Sequence, residues 1–367
     1  MKKLVIGNAA IDGILAREVS VVIRDNSIIL DYNGHRIEIP VRDGPIRAGG
    51  KYTAKINFWE ALQSFPRTEQ FGGGGYLSAT TLRKISDGSV YYLDISTPSL
   101  DTSVPGTSLA DRLQSINIHP YFLGARPIPF NVVLGDRSDK IIVKSRLGNT
   151  TFGVYHHYLV NALVADCQGI LFNSLKDTAL VELAVDSANG KTLVGVITNS
   201  LHPDFVLEKI IPNCICQFNY DEFGCIVNPD HKVVGDEETR IEGAFEGIKR
   251  IRADYNPRAH TYVTLGRNGV LCSENSEIYH VRFKGEVLEK IRPAVNQNPA
   301  STCGAGDAHA ASIFNDEVSH LPITEIAQRA CIIAVRYLGY DGTLTETDFV
   351  LSRHNSKVAI ALSYGGK

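Results

Sequence analysis

Long apolar runs are missing from this sequence. The one near its start, Leu4-Val5-Ile6, is too short for the core of a secretion signal, and no later stretch reaches the length of a membrane span. Blocks of like charge are missing too. The 37 Lys and Arg are set against 40 Asp and Glu, a formal charge of −3, so neither a nucleic-acid partner nor a membrane surface is indicated. Zinc-type spacing is also lacking. Cys214 and Cys216 alternate along an apolar stretch with no second pair or His at ligand spacing, and the adjacent His156 and His157 do not share one helix face. For that His pair a surface or capping role is expected. Seven cysteines, an odd number in a chain with no secretion signal, are expected as reduced thiols. No internal repeat or low-complexity tract appears. These absences predict a soluble, cytoplasmic, globular protein.

What is present suits one large α/β domain with an appended smaller element: 367 residues, 44% of them hydrophobic and 21% charged. A short buried strand is expected at 4–7. From 19 to 41 three extended runs, separated by Asp25-Asn26 and Asn33-Gly34 turns, read as a β-meander. A helix starts near Tyr76. Beyond residue 155, helices at 155–165, 177–188, 204–211 and 238–253 alternate with strands at 169–173, 193–198, 214–218 and 261–265. That alternation argues a parallel sheet built from crossover units. After a turn at Arg267-Asn268-Gly269, the stretches 270–273 and 277–281 are extended, while 308–314 and 323–338 are helical. The proline-punctuated stretch 99–130 carries no assignment.

The chemistry concentrates in Ser301-Thr302-Cys303-Gly304-Ala305-Gly306-Asp307. Glycines around one alanine let successive N–H groups converge on an anion, and a following helix adds the positive end of its dipole. Asp307 would then stand beside a phosphate, placed to take a proton from an attacking hydroxyl. The same residues also read as a plain glycine loop with an Asp at the helix start. Asn219 and Glu222, at the end of an apolar strand, suit Mg²⁺ directly or through water, or merely cap the next helix. Asp12 reads as a buried acceptor for substrate hydroxyls or as a turn residue. The four glycines Gly72–Gly75 form either a wall that a ring can approach closely or a flexible loop ahead of Tyr76.

Taken in order, these stretches resemble the ribokinase-like (PfkB) family of carbohydrate and nucleoside kinases over roughly residues 1–340. Thr302-Cys303-Gly304-Ala305-Gly306-Asp307 is similar to the family signature, Gly7-Asn8-Ala9-Ala10-Ile11-Asp12 to its substrate Asp, Phe71-Gly72-Gly73-Gly74-Gly75 to its Gly-Gly motif, and Asn219-Tyr220-Asp221-Glu222 to its Asn-x-x-Glu. The resemblance implies a doubly wound, mostly parallel α/β fold with a small β-sheet lid. Residues 1–15 and 70–367 would form the core, and 16–69 the inserted lid with its connections. It implies ATP and Mg²⁺, Asp307 as base, and Gly304, Ala305 and Gly306 as the anion site. Asn8, Asp12, Gly72, Gly73 and Gly74 would hold a sugar or nucleoside. Thr264, Gly266, Gly269 and Gln328 would line the nucleotide side, Asn219 and Glu222 would attend the metal, and the lid would form a homodimer contact.

Departures from the family pattern accompany these matches. Ser301 replaces the signature's first Asp, which argues against a monovalent-cation site, and Leu77 stands where many relatives have an Asn that contacts substrate. The reading is therefore a carbohydrate kinase transferring the γ-phosphoryl group of ATP to a hydroxyl. A nucleoside kinase, a sugar-phosphate kinase using Arg36, Arg42, Arg47 and Lys51, and a catalytically silent sensor of the same fold are the alternatives.

Overall fold

The computed structural model describes residues 1–42, 45–46, 51–58, 60–96, 108–126, 128–134, 141–144, 153–173, 175–198, 201–227, 237–275, 277–297 and 304–355. The N-terminal third contributes β1 (Lys2–Gly7), β2 (Ala10–Leu15), β3 (Ser20–Arg24), β4 (Ser27–Tyr32), β5 (His35–Pro40), β6 (Lys51–Thr53), β7 (Arg67–Gly72), α1 (Gly74–Ile85), β8 (Ser89–Ser96), α2 (Leu109–Ser115) and β9 (Ile118–Arg126). β10 (Phe130–Leu134), β11 (Ile141–Lys144), α3 (Val154–Asp166), β12 (Gly169–Asn173), α4 (Thr178–Ser187), β13 (Thr192–Val196), α5 (Pro203–Phe205) and β14 (Ile215–Asn219) follow. The remainder comprises α6 (Tyr220–Val227), α7 (Glu237–Asp254), β15 (Thr261–Thr264), β16 (Val270–Glu274), β17 (Glu277–Phe283), α8 (Gly285–Gln297), α9 (Ala305–Glu317), α10 (Ile323–Tyr337) and β18 (Phe349–Asn355).

A 10-stranded sheet in the order β18-β17-β16-β15-β14-β13-β12-β1-β8-β9 forms the main body. From β9 to β15 the neighbours are parallel, and β16 to β18 extend the sheet antiparallel. The pleat sends alternate residues of β1 to opposite faces. Leu4 and Ile6 join a core with Val164, Val181 and Ile248, whereas Val5 joins a second core with Leu82, Ala311 and Ala327. Helices thus cover both faces, as a sheet of apolar parallel strands requires. The mostly parallel, doubly wound α/β architecture expected from the sequence is present. The order of strands reverses between β1 and β12, whose last paired residues are Gly7 and Asn173. In open α/β sheets ligands collect at the carboxyl ends flanking such a reversal.

Beside this body lie a 5-stranded sheet, β6-β11-β10-β2-β7, and a 3-stranded sheet, β3-β4-β5. They share one core that includes Ile28, Leu30, Ile39, Phe58, Phe130 and Val132. The meander is β3 to β5, with positive φ at Asn33 and Gly34 as its turn demands. The larger of the small sheets draws strands from both sides of the 16–69 range. β2 precedes that range, and β10 and β11 come from 130–144. The pairing of β10 with β2 is parallel and joins residues far apart in the chain, such as Asn131 and Asp12, so no local turn signals it. The unassigned stretch holds α2, β9 and the start of β10, and residues 97–107 lie outside the described ones. The helix expected over 204–211 is the short α5 followed by a π-helical turn, Val206–Ile210. Cys167, Cys214, Cys216, Cys225, Cys272 and Cys331 are free thiols, and Cys303 lies outside the described residues. No helix among the described residues is long and apolar enough to cross a membrane.

Candidate active site

At the carboxyl end of β1 the glycines are required by close approach. A Cβ on Gly7 would fall 2.4 Å from the Cα of Gly75, and one on Gly73 would fall 2.5 Å from the carbonyl oxygen of Asn8. Gly73 also takes φ 88° immediately before α1. The loop it touches is held from below by Asp94, fully buried at the end of β8. Its carboxylate accepts from the backbone N–H of Ala9 at 2.6 Å, the N–H of Ser96 at 2.7 Å and the Tyr92 hydroxyl. Burial pushes the Asp94 carboxyl above its ordinary value, and these donors oppose that rise.

Asp12, buried on β2, accepts from Asn131 Nδ2 at 2.8 Å. A Cβ on Gly72 would fall 2.0 Å from Asp12 Oδ2, so the carboxylate rests on the bare glycine backbone. Asp12 and Gly72 therefore meet, and Asn8 and Gly73 meet next to them. Of the basic residues near the meander, Arg36 and Arg42 are exposed and Arg47 lies outside the described residues.

Across the strand reversal stands α9. Gly304 adopts φ 110°, a conformation L side chains rarely adopt, and α9 begins at Ala305 with Asp307 in its first turn. Asp307 is half-buried. Asn173, wholly buried at the end of β12, donates through Nδ2 to Asp307 Oδ1 at 2.8 Å, to Ser78 Oγ at 2.7 Å and to the Gly74 carbonyl at 3.1 Å. Ser78 Oγ donates in turn to the Asp307 carbonyl at 3.1 Å. Gln217 on β14 holds the next residue back, donating from Nε2 to the Gly306 carbonyl at 3.0 Å, and His309 Nδ1 donates to its Oε1 at 3.3 Å. Burial lowers His309 to about 4, so the ring is neutral, and its buried Nε2 has no hydrogen-bond partner among the described residues. Leu77 and Tyr337 lie against Gly304, where a Cβ would come 2.8 Å from Leu77 Cδ1 and 2.7 Å from the Tyr337 hydroxyl. Ser301, Thr302 and Cys303 lie outside the described residues.

Further along the same edge, the last residues of β14 and β15, Asn219 and Thr264, are paired neighbours. Asn219 Oδ1 accepts from the Glu222 backbone N–H at 2.8 Å and so caps α6. After Thr264 the chain makes a 3-10 turn, Gly266–Asn268, and Gly269 (φ 82°) packs so tightly on β17 that a Cβ would fall 2.0 Å from the Val281 carbonyl oxygen. A cavity of about 240 Å³ opens beside this turn, lined by Arg267, Asn268, Arg282, Phe283 and Leu288 among others. Gln328 is half-buried on α10, and among the described residues no side-chain hydrogen bond joins it to the turn or to Asp307.

The structure thus gathers Asp307, Gly304 and the Gly72–Gly75 loop at the strand reversal. Asn173, Ser78, Gln217 and Asn131 were not singled out by their sequence context. The available signal was a polar residue ending an apolar strand: Asn173 closes Gly169–Asn173, and Gln217 interrupts Ile215–Asn219. Among the described residues no group of three or more His, Cys, Asp and Glu side chains is placed to hold a metal ion. Asn219 and Glu222 offer an amide oxygen and a carboxylate at this edge, oxygen donors of the kind that suits Mg²⁺ held chiefly by phosphates and water, with the Asn219 oxygen engaged in the α6 cap.

The fold and this edge define an α/β phosphotransferase. A model described as the pfkB family of carbohydrate kinases matches residues 107–348, and the chain belongs to that family; it is a pfkB-family kinase. Among solved structures it is similar to the adenosine kinase of Sinorhizobium meliloti, at 17% identity over 95% of this chain and 96% of that one, with a TM-score of 0.63. The adenosine kinase of Schistosoma mansoni in complex with 2-fluoroadenosine is 14% identical over 94% and 98%, with a TM-score of 0.64. The ribokinase of Cryptococcus neoformans var. grubii serotype A in complex with ADP is 16% identical over 91% and 92%, with a TM-score of 0.60. No curated protein matches the sequence.

Proposed function

We propose that the protein transfers the γ-phosphoryl group of ATP to a hydroxyl of a sugar or a nucleoside, with Asp307 as the general base. The observation that carries this reading is Asp307 itself: a carboxylate in the first turn of α9, directly after the Gly304 turn and tied to the Gly74–Ser78 end of α1. The acceptor would lie against the surface that Asp12 and the Gly72–Gly74 loop form together, beside Asn8 and facing Asp307. Asp307 takes the hydroxyl proton as the acceptor oxygen bonds to the γ-phosphorus. The bond from that phosphorus to the bridging oxygen breaks, and its electron pair leaves with ADP. Backbone N–H groups of Gly304, Ala305 and Gly306, with the α9 dipole behind them, face the charge on the transferring group.

The base and ribose of the nucleotide would occupy the cavity beside Gly266–Asn268, flanked by Thr264 and Gly269, with Gln328 outside the immediate lining. Asn219 and Glu222 would attend Mg²⁺, which when bound neutralises charge on the phosphates. The small sheets would act as a lid that excludes water, with β3 as the contact to a second copy of the chain. Similarity in fold to adenosine kinases and to a ribokinase supports both acceptor classes, so the test uses both. ATP consumption with Mg²⁺ is measured across free sugars, sugar phosphates and nucleosides, with Asp307→Asn beside the parent. Acceptor-dependent turnover that falls about 10²-fold or more in the variant supports the reading. Residual turnover within about tenfold removes Asp307 as the base.

A further inference from the structure

Asn173 joins several elements at the strand reversal. It is 0% exposed, and its one amide nitrogen reaches two helices packed together on one face of the sheet: Gly74 and Ser78 on α1, Asp307 on α9. The orientation of the amide is set by its partners. The Gly74 carbonyl and the Asp307 carboxylate only accept, so the NH₂ group must face them. Its own strand is fixed equally tightly, because Gly7 packs against the Asn173 carbonyl, where a Cβ would fall 2.9 Å away.

We infer that Asn173 is a positioning residue for phosphoryl transfer: its amide locks the Asp307 carboxylate to the glycine wall against which the acceptor lies. This rests on the kinase reading above. One side chain then sets both the separation and the orientation of base and acceptor site, quantities on which general-base transfer depends steeply. Ser78 supports the same arrangement from the backbone side, through the Asp307 carbonyl.

Of the other titratable groups on the elements packed round Asp307, His309 lies on its own helix, Tyr76 on α1, and Cys331, Arg336 and Tyr337 on α10, while Arg83 and Lys84 sit in the last turn of α1, Glu317 at the end of α9 and Glu325 in the first turn of α10. Burial keeps His309 neutral and pushes the Cys331 thiol up to about 12. The charged groups Lys3, Asp316 and Arg329 gather at the far end of α9. A change in the titration of Asp307 on substituting Asn173 is therefore a local readout.

The test compares Asn173→Asp, which keeps the shape and replaces the donor by a like charge, with Asn173→Ser, which keeps a shorter donor. Carboxylate titration is followed by NMR on protein labelled with ¹³C-Asp, and the Asp307 signal is assigned by its loss in Asp307→Asn. The expected result is a titration midpoint moved upward by about one pH unit or more in Asn173→Asp, and by less in Asn173→Ser. With an accepted sugar or nucleoside, kcat falls by about tenfold or more in Asn173→Asp while the acceptor KM stays within about threefold. A folded Asn173→Asp with an unmoved midpoint, or with kcat unchanged, overturns the positioning role. If Asn173→Asp fails to fold, the same readings on Asn173→Ser decide. An active Asp307→Asn sinks the base assignment instead, so the two failures are distinguishable.

Discussion

Gly7 and Gly75 meet backbone against backbone, so that a Cβ on Gly75 would fall 2.6 Å from the Cα of Gly7. Neither partner in that contact is a side chain that can swing aside. The start of α1 is thereby pressed onto the end of β1, which carries Asn8 and Asp12 toward the Gly72–Gly74 wall. Gly75→Ala is expected to cost about 1–3 kcal/mol of stability, the range for overpacking at a rigid site. Acceptor KM should rise with it, because Asn8 and Gly73 move apart. Thermal melting and acceptor titration check both effects, and an unchanged melting temperature would mean the loop after β1 yields easily.

Local sequence carried the parts of this site whose chemistry is contiguous. The Gly304-Ala305-Gly306-Asp307 turn and the four glycines are runs in which each residue's neighbours declare its role, and the alternating strands and helices beyond residue 155 follow from periodicity. Asn173 was silent because its partner Asp307 lies far along the chain and only the packing of α9 onto β12 brings the two together. The same holds for Asn131, which reaches Asp12 through the parallel pairing of β10 with β2. Sequence spacing records turns and caps, whereas contacts across a crossover exist only once the sheet has formed.

Glu317, at the other end of α9 from Asp307, makes stability depend on pH. It accepts from the Tyr262 hydroxyl at 2.6 Å and lies 3.1 Å from His260 Nε2. Burial pushes Glu317 up to about 7 and His260 down to about 4, so over much of the range between them the contact joins neutral groups rather than an ion pair. The folded state keeps on Glu317 a proton that an ordinary carboxyl near 4.5 has already released. Its contribution is complete below about 4.5 and is lost as pH rises through about 7. His260 acts in the opposite sense, its neutral folded form losing stability as pH falls from 6.5 toward about 4. In Glu317→Gln only the histidine dependence remains. The stability of the variant relative to the parent should therefore increase between pH 5 and pH 8, on the order of 1–3 kcal/mol. Urea unfolding at the two pH values measures it, and a constant difference would place Glu317 near its unfolded titration.

β3 is exposed along its whole length, and Val21, Val22 and Ile23 are 38%, 50% and 47% exposed on an edge strand that pairs, among the described residues, only with β4. An apolar open edge of this kind invites another strand or sheet. The expected outcome is a dimer by sedimentation at micromolar concentration. Val22→Lys should shift it to monomer while changing monomer stability by less than about 1 kcal/mol, since the position is already in solvent. A parent protein that sediments as a monomer would leave β3 as an ordinary exposed ribbon.

One substitution separates the observed cap at Asn219 and Glu222 from the role at Mg²⁺ proposed for them. The cap of α6 uses the Asn219 side chain and the Glu222 backbone N–H, so Glu222→Gln leaves that bond and the helix intact. The carboxylate is the part that would attend Mg²⁺, and an amide is the weaker ligand for a hard cation. At saturating ATP and acceptor, the Mg²⁺ concentration giving half-maximal turnover is expected to rise by about tenfold in Glu222→Gln. The melting temperature without metal should match the parent, and chelation should abolish turnover in both. An unchanged Mg²⁺ requirement would reduce the pair to a helix cap and move the search for the metal's carboxylate elsewhere along the carboxyl edge of the sheet.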